Sequence, residues 1–283
     1  MRSVTHPLNS PHQSGKLLAR ISRPQNALYS SILAITSYYA IGGRSITTAL
    51  TLYAYFVLLY AAAATVNNLH DTAADRVNQR HDNSIAATQI GLKHLKIFIW
   101  VVSIASFLCA LLLVNTWSAL IWLSYIIALY TYSAPPVRLK ARGVLGILTL
   151  AYCYSGAPFL LGVIQFAPPD TTLVLLAALL VLLSAPALLT KDYKDERGDR
   201  ETHTGTPLVR YGYTVLRRAA STGSICFGTI ALVVAPSWLT AIAAVCLTIL
   251  VHEMHRTRKP TLWQLRGGQL SLVIIAFQFV YAW

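Results

Sequence analysis

The chain alternates between long apolar segments and short polar connections. Most of the apolar segments are long enough to cross about 30 Å of hydrocarbon as an α-helix. The two-residue alternation of a membrane β-strand is absent, so the pattern predicts helices alone. The nine predicted spans lie near residues 27–43, 47–66, 95–114, 116–134, 144–166, 171–190, 219–235, 237–253 and 268–283.

Composition supports a membrane environment for these helices. Of the 283 residues, 55% are hydrophobic and 12% are charged. Soluble domains are roughly a quarter charged, so this chain lacks the polar surface that a water-facing fold needs. We therefore predict an all-α, polytopic membrane protein with nine transmembrane helices. Residues 1–22 are predicted to be a polar tail without the apolar stretch of a signal peptide, and residues 23–283 to be one membrane domain.

Basic residues are confined almost entirely to one side of the predicted spans. Of the 23 Lys and Arg residues, 22 fall in the N-terminal tail or after an even-numbered span, and only Arg44 lies on the other side. The positive-inside rule then places the N-terminus and these loops in the cytoplasm and the C-terminus on the opposite side. The net charge of +13 also fits contact with anionic membrane lipids.

A first group of acids follows the second span in the stretch VNNLHDTAADRVN, residues 66–78. Asn67, Asp71 and Asp75 are spaced i, i+4 and i+8, so they share one stripe of a helix that continues from this span. Carboxylates at the edge of a membrane are costly unless they have a function. This stripe is therefore a candidate functional site.

A second group of acids follows the sixth span. Asp192, Asp195 and Asp199 are spaced i, i+3 and i+7, again on one helical face. Both groups lie on the same predicted side, so the two stripes can face one another across a cavity. Opposed carboxylates need a cation between them, and ligands that are oxygen alone favour Mg²⁺, which commonly shares its shell with phosphate. The alternative is that these acids are solvated helix ends paired with neighbouring Lys or Arg.

Two further elements carry groups that could bind phosphate. The stretch YTYSAPPVRLKARG, residues 130–143, ends the fourth span at two prolines and then presents Arg138 and Lys140. The stretch RPQN places Arg23 and Asn26 at the start of the first span, on the same predicted side. Paired acids beside these bases fit a diphosphate site with bound metal. The alternative for the basic loop is an ordinary positive-inside loop.

These four stretches, in the order RPQN, NNLHDTAAD, YSAPPVRLK and DYKDERGD along the chain, resemble the UbiA superfamily of intramembrane prenyltransferases. The first signature of that family reads N-D-x-x-D-x-x-x-D and the second is close to D-x-x-x-D. The resemblance covers nearly the whole chain and implies a nine-helix bundle around a central cavity that faces lipid. It implies that Mg²⁺ binds a prenyl diphosphate there and that the prenyl group moves to an acceptor.

The resemblance also implies roles for individual residues. Arg23, Asn26, Arg138 and Lys140 would contact phosphate or shape the pocket, and Asp192 would join the acids. Tyr132 and His70 are candidates to orient or deprotonate the acceptor, although His70 could equally be a solvated histidine at a helix end. The residues implied as metal and diphosphate ligands are Asn67, Asp71, Asp75, Asp195 and Asp199.

Two positions depart from the family pattern. Asn68 replaces the second signature residue, an aspartate, and removes one negative charge from this region. It lies about 100° around the helix from Asn67 and could face away from the ion. In the loop that follows, Arg80 keeps one base, but Asn83 stands where relatives often carry arginine.

The leading hypothesis is Mg²⁺-dependent transfer of a prenyl group from a polyprenyl diphosphate to an aromatic or lipid-precursor acceptor. The stretch after the sixth span looks closer to members that act on tetrapyrrole, homogentisate or glycerol-phosphate acceptors. One alternative is a membrane terpene cyclase of the same superfamily, and another is a non-catalytic protein that binds or transports prenyl lipids. We expect membrane lipids and no nucleic acid among its partners.

Overall fold

A computed structural model describes residues 11–78, 90–113, 115–166 and 168–283, with side chains from residue 15 onward. Within these ranges the chain is helical and contains no β-strand. Three short segments interrupt or link the α-helices: the 3₁₀ turns Leu139–Ala141 and Leu189–Lys194 and the π-helical turn Tyr152–Gly156. The α-helices are α1 (Pro11–Ser22), α2 (Pro24–Ala40), α3 (Ile46–His70), α4 (Thr72–Val77), α5 (Leu92–Leu112), α6 (Thr116–Ser133), α7 (Val144–Ala151), α8 (Ala157–Val163), α9 (Thr171–Leu188), α10 (Glu196–Glu201), α11 (Pro207–Val234), α12 (Trp238–Thr257) and α13 (Leu262–Ala282).

The all-α prediction is confirmed, and each of the nine predicted apolar segments overlaps helical structure. Six helical segments in the described part of the chain are long and apolar enough to cross a membrane. The crossings by α2, α6 and α11, and so the count of nine spans, stay a prediction. The six segments are Ile46–His70, Leu92–Leu112, Val144–Val163, Thr171–Lys194, Trp238–Thr257 and Leu262–Ala282.

Each even-numbered predicted span begins with a side-chain cap. Ser45, Asn115, Asp170 and Ser237 accept hydrogen bonds of 2.7 to 3.1 Å from backbone N–H groups in the first turns of α3, α6, α9 and α12. A cap satisfies a donor that has no partner within the helix, and it typically contributes about 1 kcal/mol. These polar residues therefore fix where the helices begin.

The bundle buries large side chains inside and exposes apolar ones outside. Tyr55, Phe56 and Phe159 are almost completely buried in the main core. On the outer surface, Leu112 and Val233 are 70% and 75% exposed. An exterior with this many exposed apolar side chains is the surface expected of a protein surrounded by lipid.

The N-terminal tail predicted to be polar contains α1, which packs against the bundle. Leu17, Leu18 and Ile21 form an apolar face on this helix, and Ile21 is fully buried. Ile21 packs in a small cluster with Ile90 and Leu95 near the start of α5. The helix thus covers the side of the bundle where α3 ends.

Candidate functional site

The two acidic stripes line one central cavity of about 740 Å³. Asn67, Asp71 and Asp75 reach it from the end of α3 and from α4, and Asp195 and Asp199 reach it from α10 and the residue before it. Asp75 and Asp199 are only 6% and 5% exposed. Acids from two distant parts of the sequence therefore face a common space, as the spacing predicted.

The first stripe does not lie on one unbroken helix. Asp71 ends α3 and precedes α4, with φ −99° and ψ 4°. The Asp75 N–H still donates to the Asp71 carbonyl at 2.8 Å, so the helical path bends without being lost. This continuity keeps Asn67, Asp71 and Asp75 on the same wall.

A short contact between α4 and α10 holds the two stripes together. The Asn78 side chain accepts a hydrogen bond from the Gly198 N–H at 2.8 Å and donates to the Asp195 carbonyl at 3.4 Å. Gly198 has room for hydrogen alone, because a Cβ there would lie 2.4 Å from Asn78 Nδ2 and 2.6 Å from the Ala74 carbonyl oxygen. The absence of a side chain at position 198 is what lets these helices approach.

Basic residues reach the first stripe from the turn after α6. The Lys140 ammonium contacts the Asp71 carboxylate, and the Arg138 guanidinium lies 4.0 Å from the same oxygen. Lys140 is 7% exposed and lines the cavity. Arg138 adopts the left-handed region at φ 42°, a conformation that is uncommon outside glycine and is often found at functional sites.

Burial at the site shifts the pKa of an acid, Asp199, and of a base, Lys140. Burial, reinforced by the neighbouring Asp195 carboxylate, raises the pKa of Asp199 to about 6. Burial lowers the pKa of Lys140 to about 8, against the opposing attraction of Asp199 and its neighbours. Both shifts show that burial in this cavity disfavours an isolated charge of either sign.

The donor chemistry of the stripes fits Mg²⁺. Their candidate ligands are carboxylate and amide oxygens, which suit a hard cation. Among the described residues, no three His, Cys, Asp or Glu side chains form a preassembled metal-binding group. Mg²⁺ characteristically keeps several waters and shares substrate phosphate oxygens, so a partial protein shell of this kind suits it. The residues that would hold Mg²⁺ are Asn67 and the four acids on the cavity wall. The Asn67 side chain accepts a hydrogen bond from Ser133 at 3.2 Å.

Most of the predicted site residues reach the cavity, and three do not. Asp192 is fully buried and paired with Lys191 at 2.7 Å, because the chain changes from α-helical to 3₁₀ geometry before it and the α-helical spacing no longer applies. His70 is exposed, because it lies one helical step from Asp71 and points elsewhere. Arg138 stands beside Asp71 but does not line the wall. The predicted residues that do line the cavity are Arg23, Asn26, Asn67, Asp71, Asp75, Tyr132, Lys140, Asp195 and Asp199.

The departures from the family pattern have different outcomes. Asn68 faces away from the cavity: its side chain accepts from Arg23 at 3.1 Å and donates to the Ile21 carbonyl at 3.2 Å. It is therefore not a candidate metal ligand. Arg80 and Asn83 lie outside the described residues.

The sequence analysis missed a group of tyrosines in the same cavity. Asn26 donates to the Tyr60 hydroxyl at 3.3 Å, and Tyr154 donates to the same oxygen at 2.9 Å. Tyr29 and Ser155 form another hydrogen-bonded pair at 3.0 Å. The π-helical turn brings Tyr154 and Ser155 to the cavity. No signal in the apolar sequence of the fifth span predicts such a turn.

Sequence comparison identifies relatives over most of the chain. A sequence model of the UbiA prenyltransferase family matches residues 28–278. The bacteriochlorophyll synthase 34 kDa chain of Chloroflexus aurantiacus is 28% identical over 58% of this chain and 53% of its own length. Digeranylgeranylglyceryl phosphate synthase of Methanoculleus marisnigri is 30% identical over 64% of this chain and 63% of its own length. The matches thus span less than two thirds of these curated relatives.

Solved structures share the fold. A UbiA homolog from Archaeoglobus fulgidus, bound to GPP and Mg²⁺, is 19% identical, covers 93% of this chain and 98% of its own, and has a TM-score of 0.71. A UbiA homolog from Aeropyrum pernix K1 without ligand is 17% identical, covers 92% and 98%, and also has a TM-score of 0.71. Since the family match extends over nearly all of the predicted membrane domain, this integral membrane protein belongs to the UbiA prenyltransferase family.

Proposed function

We propose that this protein catalyses the Mg²⁺-dependent transfer of a prenyl group from a prenyl diphosphate to an acceptor within the membrane. The observation that carries the proposal is the meeting of two acidic stripes, from α3–α4 and from α10, on one cavity wall beside Lys140. The GPP and Mg²⁺ bound to the homolog of the same fold support it. The substrate is a donor with a diphosphate head and an isoprenoid tail.

The reacting bond would be the allylic C–O bond of the donor. It breaks with its electron pair moving to diphosphate, and the resulting carbon forms a new bond to a nucleophile of the acceptor. Mg²⁺ would neutralise the developing charge on the diphosphate leaving group. Asn67, Asp71, Asp75, Asp195 and Asp199 would hold the cation.

Other residues of the chain would orient the donor and protect the reactive carbon. Lys140 would donate hydrogen bonds to diphosphate oxygens, and Arg138 would add positive charge from beside Asp71. Leu129, Leu150 and Leu188 contribute apolar wall next to the polar end of the cavity, where the prenyl chain would exclude water. The ring of Tyr132, whose centroid lies 5.8 Å from the Lys191 ammonium, would face the same space.

The acceptor and the orientation in the membrane complete the proposal. The relatives are named for the synthesis of bacteriochlorophyll and of digeranylgeranylglyceryl phosphate, which supports an aromatic or lipid-precursor acceptor. The segregation of basic residues supports a cytoplasmic active site, with the N-terminus on that side and the C-terminus on the other.

Diphosphate release from geranylgeranyl diphosphate by membranes that express the protein, which can supply the acceptor, tests the proposal. We expect release that requires Mg²⁺ and is lost in Asp71→Ala and in Asp195→Ala. Asp170→Asn is the matched control, because Asp170 caps α9 away from the cavity and Asn caps helices equally well. Full activity in both alanine variants would refute the site.

Mass spectrometry of lipids from membranes that express the protein would identify the product, with Asp71→Ala as the reference. A prenylated acceptor supports transfer. A hydrocarbon or terpene alcohol formed without acceptor would instead indicate a cyclase. Binding of geranylgeranyl diphosphate without any turnover would indicate a carrier.

A further inference from the structure

A buried histidine outside the cavity contacts the segment that leads into the second acidic stripe. His255 lies near the end of α12, is fully buried and does not line the cavity. Its Nε2 lies 2.9 Å from the carbonyl oxygen of Pro186 in α9. Its Nδ1 contacts the hydroxyl of Tyr193, which belongs to the 3₁₀ turn Leu189–Lys194. One imidazole ring therefore joins α12 both to the end of α9 and to the turn that follows it.

The chemistry of the two partners fixes the direction of both hydrogen bonds. A carbonyl oxygen can only accept, so the Nε2 of His255 carries a proton and donates it to Pro186. Both partners are neutral, and a buried charge without an opposite charge is costly, so the ring is neutral. A neutral ring protonated at Nε2 has a lone pair on Nδ1, and the Tyr193 hydroxyl therefore donates to Nδ1. His255 is a donor towards α9 and an acceptor towards the turn.

The Pro186 carbonyl needs a donor from outside its own helix. In a continuous α-helix it would accept from the N–H of Thr190, four residues later. The chain changes to 3₁₀ geometry at Leu189, and the Thr190 N–H then pairs with the Ala187 carbonyl, three residues earlier. A buried carbonyl that loses its partner is unfavourable. His255 supplies the missing donor at the point where the helical geometry changes.

The orientation of the 3₁₀ turn passes to the acids through the backbone. The Asp195 N–H donates to the Asp192 carbonyl at 3.1 Å, and the Asp199 N–H donates to the Asp195 carbonyl at 2.9 Å. Tyr193 lies between Asp192 and Asp195 in the chain. A rotation of the turn about its own axis would therefore carry Asp195 and Asp199 with it and change the direction in which they point. The hydrogen bond from Tyr193 to His255 opposes that rotation.

His255 is itself held firmly by its neighbours. The Tyr213 hydroxyl on α11 donates to the His255 backbone carbonyl at 2.9 Å. The rings of Tyr193 and His255 meet edge-on, with centroids 5.5 Å apart. The Arg258 guanidinium lies 3.5 Å from the centroid of the Tyr213 ring, which adds a cation–π contact at the end of α12. These contacts give His255 a defined position from which it can orient the turn.

We propose that His255 is a positioning residue for the second acidic stripe and that it acts through the Tyr193 hydroxyl. By pairing with its two partners it holds the 3₁₀ turn in the rotation that brings Asp195 and Asp199 to the cavity wall. The inference rests on the proposed function, because those acids are the ones that would hold the metal and the diphosphate. His255 acts on them from outside the cavity.

Tyr193→Phe tests the hydrogen bond with the least disturbance, because it removes the hydroxyl and leaves the ring. In membranes that express the protein, the Mg²⁺ concentration for half-maximal diphosphate release from geranylgeranyl diphosphate should rise by roughly fivefold, which corresponds to one hydrogen bond of ordinary strength. In the purified protein, the rise in melting temperature caused by geranylgeranyl diphosphate with Mg²⁺ should become smaller. This second measurement needs no turnover.

Tyr213→Phe is the matched control. It also removes one hydroxyl that donates to His255, but this hydroxyl comes from α11 and donates to the backbone carbonyl. Both variants should lower the melting temperature of the ligand-free protein by a similar amount. Only Tyr193→Phe should raise the Mg²⁺ requirement, so the difference between the two variants separates positioning of the acids from general stability.

Two replacements of the histidine separate its two hydrogen bonds. His255→Gln can keep a donor near the position of Nε2 but loses the acceptor at Nδ1, so it should raise the Mg²⁺ requirement as Tyr193→Phe does. His255→Asn can keep an acceptor near the position of Nδ1 and should stay closer to wild type. Tyr193→Phe combined with His255→Gln should be no worse than either change alone, because both remove the same hydrogen bond. If the histidine variants do not fold, the two tyrosine variants still decide the question.

The inference is overturned if Tyr193→Phe leaves both the Mg²⁺ requirement and the ligand-induced melting shift unchanged. An equal rise of the Mg²⁺ requirement in Tyr213→Phe, or fully additive effects in the double variant, would overturn it as well.

The proposed function can fail separately. If the wild-type protein binds geranylgeranyl diphosphate with Mg²⁺ but releases no diphosphate, that function is wrong, while a smaller melting shift in Tyr193→Phe still supports the positioning role. If Asp195→Ala abolishes release and Tyr193→Phe changes neither measurement, the function stands and the positioning role fails. A wild-type protein without Mg²⁺-dependent binding of geranylgeranyl diphosphate would refute both.

Discussion

Gly198 is the residue at which the geometry of the site can be tested most directly. It lies in α10, where α4 crosses closest, and it donates its N–H to Asn78. Replacing Gly198 with alanine adds one methyl group and changes no charge or candidate metal ligand. An effect on the reaction would therefore come from the contact between α4 and α10, through their separation or through the hydrogen bonds of Asn78.

The size of that separation follows from the contacts. The added Cβ would lie 2.4 Å from Asn78 Nδ2 and 2.6 Å from the Ala74 carbonyl oxygen. Ordinary contact needs about 3.5 Å, so α4 and α10 must move apart by about 1 Å. The Asn78 amide can rotate away at the loss of its two hydrogen bonds, but the Ala74 carbonyl belongs to the backbone and cannot. Overpacking of this kind costs about 1 to 3 kcal/mol.

The effect on activity should be larger than the effect on stability. A misplacement of about 1 Å can reduce a rate about 10²-fold, because the two stripes would no longer bind the same metal–diphosphate group in its reactive position. We expect diphosphate release from geranylgeranyl diphosphate to fall by about that factor in Gly198→Ala. The Mg²⁺ concentration for half-maximal rate should rise at the same time.

Gly223→Ala is the matched control. It also places alanine in a helix, on α11, where the nearest atom to the added Cβ is 3.5 Å away on Pro186. Both changes gain up to about 1 kcal/mol of helix propensity, so the difference in activity between the two variants reports the steric overlap at position 198. Wild-type activity, melting temperature and Mg²⁺ dependence in Gly198→Ala would refute the argument that this close approach positions the site.

Three further predictions concern the same site. Asn78→Ala removes two hydrogen bonds between the end of α4 and the α10 region, worth about 1 kcal/mol each. The melting temperature should therefore fall and the Mg²⁺ concentration needed for activity should rise, and an unchanged melting curve would contradict this. Lys140→Met removes the ammonium group beside Asp71 and should slow diphosphate release by roughly tenfold or more. An unaltered rate of diphosphate release would show that Lys140 does not stabilise the leaving group. Chelation of divalent cations should stop diphosphate release, and added Mg²⁺ should restore it; release that continues in excess chelator would rule out the metal-dependent reaction.

The acidic site was predictable because helical periodicity is local. Asn67, Asp71 and Asp75 share a wall although the helix bends at Asp71, since the backbone hydrogen bond across the bend preserves the spacing. The same spacing does not bring Asp192 to the cavity wall, because a 3₁₀ turn changes the angle between successive side chains there. Periodicity places residues correctly only while one helical geometry continues.

The sequence by itself determined the all-α class of fold, the approximate positions of the long apolar helices and which acids and bases are candidates for the site. These properties depend on hydrophobicity over a window of residues, on capping residues and on spacing within one helix, all of which are local. Close packing at Gly198 and the hydrogen-bonded tyrosines around Tyr60 were decided only by the tertiary structure. Each depends on which side chains from distant segments meet, and such contacts are fixed by the packing of the whole bundle rather than by the order of neighbouring residues.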